Sequence, residues 1–117
     1  MHEYSLAQSI MQIVIAEAEK VSARKVTKVT LTLGELAGVL PDSLSFCFDL
    51  VTKGTIAVGA LLEIEKVPLK GYCPHCEKAF FIMNHQYLCD QCGNGSIELI
   101  SGQELQVSHL EIEDETD

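Results

Sequence analysis

Near the start of the chain apolar residues recur at helical spacing. Leu6, Ile10, Ile13, Val14 and Val21 share a stripe, with Gln12, Glu19 and Lys20 elsewhere around the wheel. Ser5 and Gln8 form a capping-box pattern, so the spacing predicts a helix over 5–23 behind a short free arm. The period then shortens to two. Val29, Leu31 and Leu33 fall on one face of a strand over 26–33, and Lys28, Thr30 and Thr32 on the other. Residues 34–38 read as a loop. Pro41-Asp42-Ser43 opens a second helix, with Asp42 or Ser43 as its cap and Leu44, Cys47, Phe48 and Val51 on its inner side. A second strand covers Leu61–Val67, with Leu62 and Ile64 inward. In a third, over 104–112, the phase changes between Leu105/Val107 and Leu110/Ile112, which implies a bulge.

Between the second and third strands the character of the chain changes. Residues 70–100 hold two matched pairs, Cys73-Pro74-His75-Cys76 and Cys89-Asp90-Gln91-Cys92. Each pair can set two thiolates on one side of a tight turn, and two facing turns close a tetrahedron suited to zinc or to a single iron. Phe80, Phe81 and Ile82 between the pairs are too few for a self-sufficient core, so the metal is expected to supply much of the folding free energy. The expected fold class is α+β: two helices packed on a small mixed three-stranded sheet, with an inserted zinc-ribbon-like module. The expected domains are 1–69 plus 101–117, and 70–100. Both ends of the insertion return to one body, so the strands before and after it are expected to lie close together. The fifth cysteine, Cys47, sits in an apolar stretch and reads as a buried small hydrophobe.

Charge narrows the function. The 117 residues carry 17 acids against 8 Lys and Arg, a formal net charge of −9, which argues against nucleic acid as a general partner. No basic leader, membrane-length apolar run or phosphate-binding glycine loop is present, and no credible catalytic set. The chain is therefore expected to be a cytoplasmic non-enzyme. In a reducing compartment paired cysteines read as metal ligands more readily than as disulfides. The acidic segment 111–117 reads as a solvated tail.

Met1-His2-Glu3 is chemically loaded. A free α-amine, the following amides and the His2 imidazole can form fused chelate rings, a nitrogen set favouring square-planar Ni(II) or Cu(II). Amine and imidazole titrate near ~8 and ~6.5, so acid is expected to release such a metal. Glu3 can add its amide or its carboxylate. On spacing alone the segment reads as a mobile polar terminus. His75, inside the first knuckle, and His85, between the pairs, read as exposed residues able to sense pH beside a zinc–thiolate centre. His109 reads as a structural residue of the last strand.

Together these residues resemble one family, the HypA/HybF nickel chaperones of NiFe-hydrogenase maturation. The resemblance rests on Met1-His2-Glu3 before a helix, Gly34-Glu35-Leu36, the run 43–51 with Gly54-Thr55, the cysteine quartet, and Leu110-Glu111-Ile112-Glu113. It implies transported nickel bound by His2 with the Met1 amine and Glu3, and structural zinc bound by Cys73, Cys76, Cys89 and Cys92. It also implies partnership with the HypB GTPase and the hydrogenase large-subunit precursor, and in some relatives with urease accessory proteins. A monomer or a homodimer is compatible with it. Some family members carry histidines after the second knuckle; here Gly93-Asn94 follow, so their pH sensing is not implied. A zinc-ribbon adaptor without metal transfer and a rubredoxin-like electron carrier are the alternatives left by the cysteines alone.

Overall fold

The computed structural model describes residues 2–84 and 86–114; the His2 side chain is also outside the description. The chain divides into two compact units, one of Met1–Thr32, Val39–Glu65 and Gln106–Asp117, the other of Leu33–Gly38 and Lys66–Leu105. No helix among the described residues is long and apolar enough to cross a membrane.

In the first unit α1 runs His2–Lys20 and α2 runs Pro41–Val51, and the two pack together. The buried stripe of α1 is Ala7, Ile10, Val14 and Ala18, while Ile13 and Val21 are at least half exposed. The sequence reading favoured the larger side chains. Two of these four positions are alanines, small residues that let packed elements approach closely. The helix also starts three residues before the expected cap at Ser5, so the free arm is replaced by a first helical turn. It stops where Ser22 turns left-handed at φ 54°.

α2 has Pro41 in its first turn, where a missing N–H costs nothing, and Leu40 as its N-cap without a side-chain cap; neither Asp42 nor Ser43 plays that part. Leu44, Cys47 and Phe48 are buried, as the spacing required.

The mixed sheet of this unit has β1 (Ala23–Gly34) at its centre. β2 (Leu61–Val67) lies on one side, and the last strand (Leu105–Asp114, β6 in chain order) on the other. The strands flanking the insertion are thus not neighbours: β1 separates them. The β1–β2 connection carries α2, the kind of crossover that joins parallel strands. β1 and β6 are antiparallel. Thr27 donates to the Glu111 carbonyl (3.1 Å), Ser108 to that of Thr30 (3.2 Å), and the Gly34 amide to that of Glu104 (2.7 Å). The residue numbers of all three pairs add to the same value, as antiparallel pairing requires, and Val107, Leu110 and Ile112 all pack against the core. Lys28 on β1 pairs with Glu63 at 3.2 Å and Glu111 at 3.8 Å, which raises its pKa through the Glu63 hydrogen bond first.

The second unit is built on β3 (Lys70–Cys73), central between β4 (Lys78–Phe81) and β5 (Glu98–Ser101), with both pairings antiparallel. Its core is thin: Leu69, Cys73, Phe80, Ile82 and Cys89, with Leu36, Cys76 and Ile97 against them. Two of the five buried members are candidate ligands, so a metal there is part of the core. Gly71 is small for a packing reason, since a Cβ there would meet Ile97, Ile82 and Phe80 at 3.1–3.2 Å. The loop 33–38 belongs to this unit. A Cβ on Gly34 would fall 2.2 Å from the Gly102 carbonyl group, and the Glu35 carboxylate accepts the Leu69 N–H at 2.8 Å.

Candidate metal centre

The β3–β4 hairpin makes the first knuckle. Cys73 ends β3, Cys76 lies in the turn, and the chain re-enters at Lys78. The turn closes through a 2.7 Å bond from the Glu77 N–H to the Cys73 carbonyl, with Glu77 left-handed at φ 55°. The second knuckle repeats this device. The Gly93 N–H donates to the Cys89 carbonyl at 2.9 Å, with Gly93 at φ 73°. In each case the residue after the second cysteine turns left-handed. Glycine at 93 signals this in the sequence, whereas glutamate at 77 hides it.

These turns aim backbone amides at sulfur. The Cys76 N–H points at the Cys73 Sγ and the Gln91 N–H at the Cys89 Sγ, each at 3.4 Å. Such bonds favour the thiolate over the thiol. All four Sγ atoms lie within 4.8 Å of one another, and the Cys73–Cys92 and Cys76–Cys89 separations are both 3.8 Å. A regular tetrahedron of sulfurs about 2.3 Å from a central ion has edges of about 3.8 Å. The quartet therefore fits a tetrathiolate metal by its own geometry. Cys73 and Cys89 are buried, Cys76 is half-buried and Cys92 is exposed.

The thiols divide electrostatically. The Cys92 and Gln91 amides draw the Cys89 pKa down to about 7. The Cys92 thiol, then desolvation, push Cys76 up to about 12. The Asn94 amide pulls Cys92 down, but desolvation and the Cys89 and Cys73 sulfurs outweigh it and leave it raised. Four sulfurs this close cannot all ionise without a cation. A divalent ion removes that repulsion and displaces the remaining protons.

The other sequence candidates are not members of this sulfur cluster. His75 is exposed within its knuckle, and His109 lies on β6, exposed. Cys47 is buried on α2. His85 and Met1 lie outside the described residues, as does the His2 side chain, and so do the last acids of the tail, 115–117. What is described at the amino terminus is the helical backbone from His2, and Glu3. The Glu3 Oε2 accepts the Leu40 N–H at 3.3 Å, a contact no sequence signal announced because nothing in Leu40 itself marks it.

A hydrogenase maturation factor HypA of Roseiflexus is 43% identical over 117 residues, covering 99% of this chain and 95% of the relative. One from Geobacter metallireducens is 42% identical over 113 residues, covering 97% of this chain and all of the relative. One from Dehalococcoides mccartyi is 36% identical over 116 residues, covering 99% and 98%. The solution structure of the Ni metallochaperone HypA from Helicobacter pylori shares the fold with a TM-score of 0.69 at 24% identity, covering 98% of this chain and all of that one. The family model described as hydrogenase/urease nickel incorporation, metallochaperone, matches residues 1–112, and the chain belongs to that family, HypA.

Proposed function

We propose that this chain carries Ni(II) at its amino terminus and delivers it during NiFe-hydrogenase maturation, with a structural zinc held by Cys73, Cys76, Cys89 and Cys92. The unit containing α1 takes the nickel and the unit containing the knuckles takes the zinc. Nickel is cargo here, bound by the Met1 amine, the His2 amide and imidazole, and the Glu3 amide.

The observation that carries this reading is the helical backbone beginning at His2. The first N–H groups of a helix have no acceptor within it, so the His2 and Glu3 amides can lose their protons to a metal without breaking the helix ladder. Helical geometry also helps the bite. A ψ of about −42° turns successive backbone nitrogens toward the same side, whereas an extended ψ of about +135° turns them apart. A five-membered chelate needs that torsion near zero, so the helical start lies closer to it. The positive end of the helix dipole opposes a bare cation, but two deprotonated amides cancel the charge of Ni(II) and are themselves favoured there.

The zinc assignment is supported by the sulfur tetrahedron and by a thin core that includes two of its ligands. A closed set of four leaves no position for substrate, which suits a structural role. The partners we assign are the HypB GTPase, the hydrogenase large-subunit precursor and, for a urease branch, urease accessory proteins. The test is to extend the chain by one glycine ahead of Met1. Nickel binding in equilibrium dialysis is expected to fall at least tenfold with zinc content unchanged. Nickel binding that survives the extension contradicts the amine-anchored site.

A further inference from the structure

The Glu3 carboxylate could serve nickel directly, yet the structure gives it other work. Glu3 is half-buried in the first turn of α1, and its Oε2 accepts the N–H of Leu40, 37 positions along the chain and immediately ahead of α2. Leu40 is extended (φ −86°, ψ 115°), lacks a side-chain cap, and passes its own carbonyl to the Leu44 N–H at 3.0 Å. Its N–H belongs to no helix or strand. One carboxylate thus joins the starts of both helices, on the favourable side of each helix dipole.

We propose that the Glu3 side chain is a positioning residue for the cargo: its carboxylate pins the first turn of α1 to the Leu40 amide and so holds the His2 and Glu3 backbone nitrogens in the bite that nickel requires. The inference rests on the nickel reading above. A first turn is the part of a helix that frays most easily, because its N–H groups have no internal acceptors. Released from Leu40, the backbone at His2 and Glu3 samples extended ψ values that turn the two nitrogens apart. Every excursion lowers the fraction of protein ready to bind, and apparent affinity falls by that fraction.

The geometry of Leu40 offers a test from both ends of the bond. Glu3→Ala removes the acceptor. Leu40→Pro removes the donor without touching Glu3. The φ of −86° lies within about 20° of proline's range, the ψ of 115° suits a residue ahead of Pro41, and the leucine side chain is two-thirds exposed. Glu3→Gln keeps a carbonyl oxygen that can accept the same N–H. Nickel titrations of the zinc-loaded chains would be read together with the nickel absorption band and amide hydrogen exchange at Leu40. A net hydrogen bond of about 1 kcal/mol corresponds to about fivefold in affinity. Glu3→Ala and Leu40→Pro are each expected to weaken nickel about fivefold, with no further loss when combined and an unshifted band. Glu3→Gln is expected to rescue most of the affinity lost in Glu3→Ala, together with slow exchange at Leu40. Two results overturn the proposal: a Glu3→Gln band or affinity as altered as that of Glu3→Ala, which makes the carboxylate a ligand, or wild-type binding by Glu3→Ala. Helix content and zinc content screen Leu40→Pro for misfolding, in which case Glu3→Ala and Glu3→Gln decide. Failure of the nickel reading itself is read separately, from a His2→Ala chain that still binds nickel.

Discussion

The two knuckles contain a matched experiment. Both place the residue after the second cysteine in the left-handed region, at φ 55° for Glu77 and φ 73° for Gly93. A side chain there costs about 1–2 kcal/mol, which glycine avoids. Glycine in turn loses more backbone freedom on folding, which returns about 0.4–1 kcal/mol. Glu77→Gly should therefore stabilise the module by about 0.5–1 kcal/mol, and Gly93→Ala should destabilise it by a similar amount. Neither estimate is clouded by lost contacts. Glu77 is exposed and its side chain makes no hydrogen bond or ion pair among the described residues; a Cβ at Gly93 would meet nothing within 4 Å. Folding of a thin metal module is coupled to metal binding, so these energies appear as zinc affinity. The assay is competition for zinc with a chromophoric chelator at fixed pH. The expected result is a few-fold gain for Glu77→Gly and a few-fold loss for Gly93→Ala. Changes of the same sign in both, or tighter zinc binding by Gly93→Ala, would refute the turn geometry.

Zinc affinity should also fall with acid, more steeply below pH 7 than above it. The Cys89 thiol titrates at about 7 and Cys76 at about 12, and both must be deprotonated in the complex, so lowering the pH through 7 adds a proton to displace. Calorimetry in buffers of different ionisation enthalpy counts those protons; a count that does not rise from pH 8 to pH 6 contradicts the assignment. Cys73→Ser should lose zinc and the dispersion of NMR signals from 70–101 while α1 keeps its helicity, and retained stoichiometric zinc would contradict the four-sulfur centre. Phe48→Ala empties a fully buried site between the helices and sheet and should cost about 3–5 kcal/mol in chemical unfolding, with zinc still bound after folding.

How much of this was legible in the sequence depends on the physics behind each feature. The cysteine quartet was legible because ligand chemistry and spacing nearly fix each other. The inner face of α2, with Leu44, Cys47 and Phe48, was legible because one helix face meets one core, as were Leu62 and Ile64 on β2. The α1 start was misread because Ser5 and Gln8 look like a cap locally. The turn at His2–Tyr4 gains a partner 37 positions away, through Glu3 and Leu40, which local pattern cannot register. The buried alanines of α1 were missed because a hydrophobic pattern ranks size, while helix packing rewards smallness. The order of β2, β1 and β6 is set by the crossover through α2, which the strand patterns alone do not record. The left-handed turn at Glu77 was invisible because glutamate gives no sign of it.

The central claim places nickel at His2 and zinc at the cysteines, as two independent sites. It is tested most directly by titrating Ni(II) into zinc-loaded protein with a native Met1 amine, beside the His2→Ala chain. The account predicts one equivalent of nickel in the wild type, its loss in His2→Ala, and unchanged zinc content and helicity in both. Nickel bound by His2→Ala with wild-type affinity, or nickel that displaces zinc one for one in the wild type, would contradict it.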